Sequence, residues 1–157
     1  MSVVELALRP ARFDEAPALS ELALRSKAHW GYDDAFLEAC RAELTVRPEH
    51  VAASRVVVAT SAARVVGFSI LLGGPPRAEV EMLFVEPDAI GTGVGSVLLD
   101  RLRADAVALG CRALRIEADP HAIGFYEHHG AVRIGDEPSA TFPGRTLPIL
   151  ELDLHPS

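Results

Sequence analysis

The feature that most constrains the fold is a strand, a glycine-rich turn, an amphipathic helix and a second strand in direct succession. Apolar runs predict strands at residues 80–85 and 113–118. Between them, residues 93–109 carry an apolar stripe at helical spacing, and Gly110 closes the segment. Two strands joined by a helix pair in parallel within one sheet. The second half of the chain therefore predicts a sheet with at least one parallel pair.

The remaining elements predict a mixed sheet. Apolar and β-branched runs predict further strands at residues 5–9, 55–60, 64–72, 132–137 and 147–154. Helices are predicted at residues 14–28, from a cap at Asp33 or Asp34 to about residue 44, and at residues 120–129. The order β-α-α-β-β-β-α-β-α-β-β, with hairpins in the first half, predicts an α/β fold in which helices flank a mixed sheet of about seven strands. We expect one domain over residues 1–157.

Composition excludes several classes of partner. The chain has 22 acidic and 15 basic residues, a formal charge of −7, which disfavours nucleic acid as a partner because such binding depends on clustered Lys and Arg. No apolar run approaches the ~18 residues of a membrane span, and no signal peptide is recognised, so we expect a cytoplasmic protein without a membrane partner. Cys40 and Cys111 lack metal-ligand spacing. His128 and His129 are adjacent on a predicted helix and point about 100° apart, so we expect no metal site there.

The glycine run Gly91-Thr-Gly-Val-Gly95 is the first candidate site. Backbone N–H groups at a helix N-terminus bind phosphate. The run is not a P-loop, because no Gly-Lys-Ser/Thr follows it. It also departs from a dinucleotide-binding turn, since Ser96 stands where a third glycine is needed and Cys111 where an acid is expected. A purely structural tight turn with close helix packing is the alternative interpretation.

A second motif changes that balance. Starting 27 residues after Gly95 the chain reads Ala-x-x-Phe-Tyr-x-x-x-Gly, and before the glycine run it reads Val-x-Pro. Together these motifs resemble the GCN5-related N-acetyltransferases, the GNAT superfamily. The residues that carry the resemblance are Val85, Pro87, Gly91, Gly93, Gly95, Ala122, Phe125, Tyr126 and Gly130. The motifs cover about residues 80–132, and the order of elements agrees over essentially the whole chain.

Two positions depart from the family pattern. The family usually has arginine or glutamine just before the first glycine, where this chain has Ile90. A side-chain contact to pyrophosphate is then missing, and the backbone amides remain. The family often has asparagine seven residues before the tyrosine, where this chain has Asp119. Aspartate still caps a helix, but it has no amide donor and adds a negative charge.

The resemblance implies that acetyl-CoA is the cosubstrate. It would lie in a cleft where the strand ending at Val85 separates from the strand starting near Ala113, and its pantetheine arm would pair with that first strand. Its pyrophosphate would bind the N–H groups after Ile90. The implied cofactor-binding residues are Leu83, Phe84, Val85, Ile90, Gly91, Thr92, Gly93, Val94, Gly95, Ser96 and Phe125.

The implied reaction is direct transfer of an acetyl group to a primary amine. Such an amine has a pKa of about 10.4 and must lose a proton before it attacks. Glu81 is the first candidate for the base and Glu79 the second; both fall on one face of a strand. A solvated strand carboxylate is the alternative for Glu81. An N–H near Leu83 would stabilise the oxyanion. By resemblance, Tyr126 protonates the departing thiolate, and an aromatic packing role is its alternative.

The acceptor is less well defined by the sequence. In this family the first two helices and the last hairpin commonly form its binding site, which here includes His29, Trp30 and Arg145. His29 would orient or deprotonate an amine, Trp30 would shape an apolar pocket, and Arg145 would bind a carboxylate. A helix cap, core packing and a solvated loop are the structural alternatives. We expect a small-molecule amine as acceptor; a protein lysine or N-terminal acetyltransferase and a non-catalytic acyl-CoA sensor are the alternatives. A homodimer through the late strands is an expectation from the family.

Overall fold

The computed structural model describes residues 5–154. In that range the strands are β1 (Leu6–Pro10), β2 (Val56–Ser61), β3 (Arg64–Gly74), β4 (Arg77–Val85), β5 (Ala113–Glu117), β6 (Val132–Pro138) and β7 (Thr146–Asp153). The helices are α1 (Ala16–Ala28), α2 (Asp34–Cys40), α3 (Pro48–Ala52), α4 (Val94–Ala108) and α5 (Ile123–His128). Three 3₁₀ turns, Phe13–Glu15, Pro87–Ala89 and Pro120–Ala122, precede or interrupt them.

The strands form the mixed sheet that the sequence predicts. Their order is β1-β2-β3-β4-β5-β7-β6. Strands β4 and β5 pair in parallel, as the strand–helix–strand succession requires, whereas β1 with β2, β2 with β3, β5 with β7 and β6 with β7 pair antiparallel. The seven-stranded α/β fold is therefore confirmed.

The structure differs from the sequence predictions at several helix ends. Helix α3 is not among the predicted elements; Pro48 is its first residue, where the missing N–H of proline costs nothing. Asp33 does cap α2, since its side chain accepts a bond from Phe36 N at 2.8 Å, but α2 ends at Cys40. The helix predicted from residue 14 begins at Ala16 instead, because a 3₁₀ turn occupies Phe13–Glu15 and Asp14 does not cap the helix.

The chain divides into two compact units, and the first contains residues 5–70 and 82–101. One hydrophobic cluster of this unit joins strands β2 and β3 to the residues around the glycine run. Its buried members are Val57, Ala59, Val66, Ala89, Val94 and Leu98, with the partly buried Leu6, Leu8, Leu83 and Val85 packed against them. Gly67 permits this packing, since a Cβ there would lie 2.9 Å from Val94 Cγ1 and 3.0 Å from the Phe84 carbonyl oxygen. The cluster therefore fixes both flanks of the glycine run.

The second unit contains residues 71–81 and 102–154. Its core includes buried leucine and isoleucine side chains of β5 and β7, such as Leu114, Ile116 and Leu150, and the ring of Tyr126 is buried as well. The opposite face of β5 is polar. There the guanidinium of Arg115 lies 2.6 Å from a Glu137 carboxylate oxygen.

Candidate functional site

The glycine turn, defined here as residues 90–93, leads directly into α4. Gly91 and Gly93 have φ values of +83° and +94°, in the left-handed region that favours glycine. Both residues are exposed, whereas the flanking Ala89 and Val94 are buried in the first unit's core. The first N–H groups of a helix have no acceptor within the helix, and they carry its positive dipole end. An exposed, pre-shaped turn at such a helix start can bind an anion through its backbone.

The side chains of the predicted phosphate-binding residues add little to this site. Val94 is buried at 2% exposure, so its side chain belongs to the core. Thr92 donates its hydroxyl to the carbonyl oxygen of Ala89, and its own N–H donates to the same oxygen at 3.2 Å. Ile90, Gly95 and Ser96 are half-buried. Since Ile90 has no polar side-chain atom, any anion held by residues 90–96 depends mainly on backbone amides.

The end of β4 is half-buried, unlike its beginning. Leu83 and Val85 pack against the core of the first unit. The ring centroid of Phe84 lies 6.0 Å from the ring centroid of Phe68. These three predicted cofactor-binding residues thus lie on a strand whose position is fixed by packing.

The two candidate bases differ in their surroundings. Along β4, exposed Glu79 and Glu81 alternate with buried residues, so both carboxylates lie on one face, as the sequence predicts. Glu79 lies 3.7 Å from an Arg115 guanidinium nitrogen. Among residues 5–154, Glu81 forms no ion pair. Of these two carboxylates, Glu79 alone is engaged by a guanidinium.

Tyr126 lies inside the second unit. It is 6% exposed, and its ring contacts that of Phe125 edge to face, with centroids 5.1 Å apart. Burial raises the pKa of the Tyr126 hydroxyl above its ordinary value of 10.0. The hydroxyl therefore keeps its proton at neutral pH, as a proton donor must.

Asp119 and Arg145 form an ion pair in the same unit. A carboxylate oxygen of Asp119 accepts a bond from the backbone N–H of His121 at 2.9 Å, which caps the 3₁₀ turn before α5. The other oxygen lies 3.7 Å from the guanidinium of Arg145. Arg145 was predicted to bind a carboxylate of the acceptor. In the structure it lies beside a carboxylate of the chain itself.

Residues 29–32 follow the last turn of α1. We call this segment the acceptor turn, because it contains His29 and Trp30, which the sequence analysis predicts to contact the acceptor. His29 and Trp30 are both exposed, and their rings meet edge to face with centroids 4.8 Å apart. The chain's single lysine, Lys27, has its ammonium 5.6 Å from the Tyr32 ring centroid and 5.7 Å from that of Phe36. These contacts hold the turn close to the start of α2.

One charged cluster was not predicted from the sequence. The side chain of Glu86, only 10% exposed, accepts a bond from Arg25 Nε at 3.1 Å and one from Arg64 Nη2 at 3.3 Å. Arg64 also pairs with Asp88 at 3.0 Å. Glu86 stands between Val85 and Pro87 of the Val-x-Pro motif, but no local pattern links it to an arginine 61 residues away. We call Arg25, Arg64, Glu86 and Asp88 the Glu86 cluster.

Residues 5–154 lack two other features, a metal-binding cluster and a membrane-spanning helix. In that range no group of three or more His, Cys, Asp or Glu residues is arranged to hold a metal ion. None of the helices described there has the length and hydropathy needed to cross a membrane.

Comparison with known proteins gives the same fold and names a family. Residues 17–131 match the model of the acetyltransferase (GNAT) family. A GCN5-related N-acetyltransferase from Rhodopseudomonas palustris is 26% identical, with a TM-score of 0.78 and 98% of each chain covered. PaiA N-acetyltransferase from Thermoplasma acidophilum, in complex with coenzyme A, is 17% identical, with a TM-score of 0.78 over 95% of this chain and 99% of that one.

YncA from Salmonella typhimurium, with its cofactor acetyl-CoA, shares the fold as well. It is 19% identical, with a TM-score of 0.70 over 98% of this chain and 96% of that one. The family model covers more than two thirds of the sequence, including both the glycine turn and Tyr126. The chain therefore belongs to the GNAT family of acetyltransferases.

Proposed function

We propose that this acetyltransferase uses acetyl-CoA to acetylate the primary amine of a small molecule, by direct transfer and without an acyl-enzyme. The observation that carries the proposal is the exposed glycine turn at the start of α4, with Gly91 and Gly93 in left-handed conformations. Relatives of the same fold were crystallised with coenzyme A or acetyl-CoA. The turn fits such a ligand, since a pyrophosphate needs close approach to backbone amides and no side-chain Cβ of Gly91 or Gly93 obstructs it.

Glu81 is proposed as the general base. An alkylammonium has a pKa of about 10.4 and is mostly protonated at neutral pH. A carboxylate accepts its proton directly or through one water molecule. The exposed position of Glu81, and the engagement of Glu79 by Arg115, support this choice. The proton passes from the ammonium to Glu81, and the freed amine attacks the thioester carbonyl carbon.

Tyr126 is proposed as the general acid. Collapse of the tetrahedral intermediate breaks the carbon–sulfur bond and leaves a thiolate, whose conjugate acid has a pKa of about 8.5. A hydroxyl that burial keeps protonated can donate to that sulfur. The second proton that the nitrogen loses as the amide forms restores the Tyr126 hydroxyl. The presence of this tyrosine also supports catalysis over a purely sensory role, because a sensor needs no proton donor.

A cationic amine is the proposed acceptor. The chain's formal charge of −7 favours a positively charged ligand over a polyanionic one. Trp30 and His29 are exposed on the acceptor turn, where an aromatic ring and an imidazole can contact an amine-bearing molecule. We propose a small molecule and not a protein as the acceptor, and an assay of coenzyme A thiol release tests both classes.

The test is release of the coenzyme A thiol over a panel of small amines, lysine peptides and peptides with free N-termini. Turnover is expected with at least one small amine. Tyr126→Phe should lower kcat by about tenfold or more with little change in KM, and Glu81→Gln should lower kcat at neutral pH. Glu49→Gln, a change in the exposed helix α3, serves as the matched control.

Three outcomes would contradict parts of the proposed function. Turnover with peptides and none with small amines would replace the proposed acceptor by a protein. Tight binding of acetyl-CoA without turnover on any amine would favour a sensor. Turnover that Tyr126→Phe leaves unchanged would show that the ring only packs, and the general acid would have to be another group.

A further inference from the structure

We propose that Glu86 is a positioning residue that holds the glycine turn and the acceptor turn in a fixed relation. The inference rests on the proposed function, which assigns these turns to the cofactor and to the acceptor. It concerns only contacts within the first compact unit. Glu86 touches neither substrate in this proposal; it acts through the elements that it joins.

Backbone hydrogen bonds fix Glu86 at the start of the segment that leads into the glycine turn. Its backbone N–H donates to the carbonyl oxygen of Val66 in β3 at 2.8 Å. The 3₁₀ turn Pro87–Ala89 starts at the next residue, and Ala89 N–H donates back to the Glu86 carbonyl oxygen at 2.9 Å. The glycine turn follows directly. A shift of Glu86 must therefore move the residues that approach the pyrophosphate.

The second contact is with α1, which leads into the acceptor turn. Arg25 donates through Nε and Nη2 to one carboxylate oxygen of Glu86. The carbonyl oxygen of Arg25 in turn accepts a bond from His29 N–H at 3.2 Å. Arg25 therefore binds the Glu86 carboxylate through its side chain and His29, the first residue of the acceptor turn, through its backbone carbonyl. Losing the Arg25–Glu86 pair removes the polar contact between this carboxylate and the end of α1.

Arg64 provides an internal comparison. It binds the other oxygen of Glu86 at 3.3 Å and also pairs with Asp88, on either side of Pro87. It belongs to β3, and the ion pairs of its side chain are with Glu86 and Asp88 rather than with α1. Neutralising Arg64 should therefore loosen the glycine turn and leave the acceptor turn in place. Neutralising Arg25 should affect the acceptor turn as well.

Low exposure makes the Glu86 carboxylate an effective anchor. A carboxylate that is mostly removed from water needs charged partners, and two guanidiniums supply them. Two opposed partners also restrict the side chain more than one exposed ion pair would. The cluster is therefore expected to fix geometry rather than only to add stability.

The test compares Glu86→Gln, Arg25→Gln and Arg64→Gln by steady-state kinetics, with each substrate varied while the other is saturating. We expect Glu86→Gln and Arg25→Gln to raise KM for both acetyl-CoA and the amine by about tenfold, with kcat nearly unchanged. Arg64→Gln should raise KM for acetyl-CoA alone. Arg41→Gln is the matched control, because this exposed arginine, directly after α2, pairs with Glu21 and Glu38 and not with the cluster.

Two readouts do not depend on turnover. Calorimetric titration with acetyl-CoA measures the glycine turn directly, and the emission of Trp30, the chain's single tryptophan, measures the acceptor turn. The Kd should rise in all three cluster variants. The Trp30 emission should change in Glu86→Gln and Arg25→Gln and stay constant in Arg64→Gln and Arg41→Gln.

The outcomes separate this inference from the proposed function. A folded Glu86→Gln variant whose Kd for acetyl-CoA and Trp30 emission equal those of the wild type would overturn the inference, even if the wild type is active. An inactive wild type would refute the proposed function, while the two binding and emission readouts would still judge Glu86. A lower Tm with unchanged KM values would mean that the cluster only stabilises the fold, which also overturns it.

Discussion

Gly93→Ala tests whether the glycine turn binds the cofactor through its backbone. Gly93 has a φ of +94°, and a Cβ added there would meet nothing within 4 Å. The substitution therefore introduces no clash in the protein. Its effect comes from backbone strain alone, because an L-residue is disfavoured in this conformation.

The size of the effect follows from that strain. A non-glycine residue in the left-handed region costs about 1–2 kcal/mol. The exposed turn can relax in the free enzyme, and binding must then restore the strained conformation. The KM for acetyl-CoA is expected to rise by the corresponding factor, about 5–30-fold. The kcat should change little, and the Tm should fall by no more than about 4 °C per kcal/mol that remains in the folded state.

Two variants serve as controls for Gly93→Ala. Gly135→Ala places the same methyl group on β6, where a Cβ also meets nothing within 4 Å and φ is not in the left-handed region. Its kinetics should match the wild type. Ile90→Ala removes the side chain at the position where the family usually has a polar residue, and it should change KM for acetyl-CoA by less than Gly93→Ala does.

Two outcomes would contradict backbone binding of the cofactor at this turn. If Gly93→Ala binds acetyl-CoA as tightly as the wild type in a calorimetric titration, the turn does not hold the cofactor in its glycine-dependent conformation. If Ile90→Ala weakens binding more than Gly93→Ala, the contact is made by a side chain and not by the backbone.

Three further substitutions test other parts of the structure. Gly67→Ala places a Cβ 2.9 Å from Val94 Cγ1, so α4 must shift; urea unfolding should show a loss of about 1–3 kcal/mol, and equal stability would contradict the packing. Because burial raises the pKa of Tyr126 above 10.0, the ratio of wild-type kcat to that of Tyr126→Phe should stay constant up to that pH; an earlier fall would indicate an exposed hydroxyl. The hydrogen bonds from Arg9 lower the pKa of Glu15 from 4.5 to about 2, so this carboxylate stabilises the fold above pH 4.5 and the contribution disappears as pH falls towards 2. Glu15→Gln should lower the free energy of unfolding by about 1 kcal/mol at neutral pH, allowing for screening, and the difference should vanish in acid; a difference independent of pH would refute the assignment.

The fold could be predicted from the sequence where local periodicity is strong. Alternation along β4 placed Glu79 and Glu81 on one face, and the structure has that burial pattern. Helix α3 could not be predicted because five residues are too few to show a helical period. The helix expected over residues 120–129 is divided into a 3₁₀ turn and α5, a change at element ends that periodicity does not resolve.

The candidate site was predictable only in its local part. The glycine turn is a contiguous motif, and its residues were identified directly from the sequence. Contacts between distant residues were not. Glu86 binds an arginine 61 positions away, and Arg145, in the loop after β6, pairs with Asp119. Such pairs depend on tertiary placement, which no single-sequence pattern encodes.

The environment of Lys27 has a practical consequence for chemical labelling. It is the chain's single lysine, and its ammonium lies over the rings of Tyr32 and Phe36. An amine-reactive dye or cross-linker therefore has one side-chain target, situated beside the acceptor turn. Acylation of that amine removes its charge and its attraction to both rings. Immobilisation through lysine would thus perturb this turn selectively, and coupling through another chemistry would keep it intact for binding measurements.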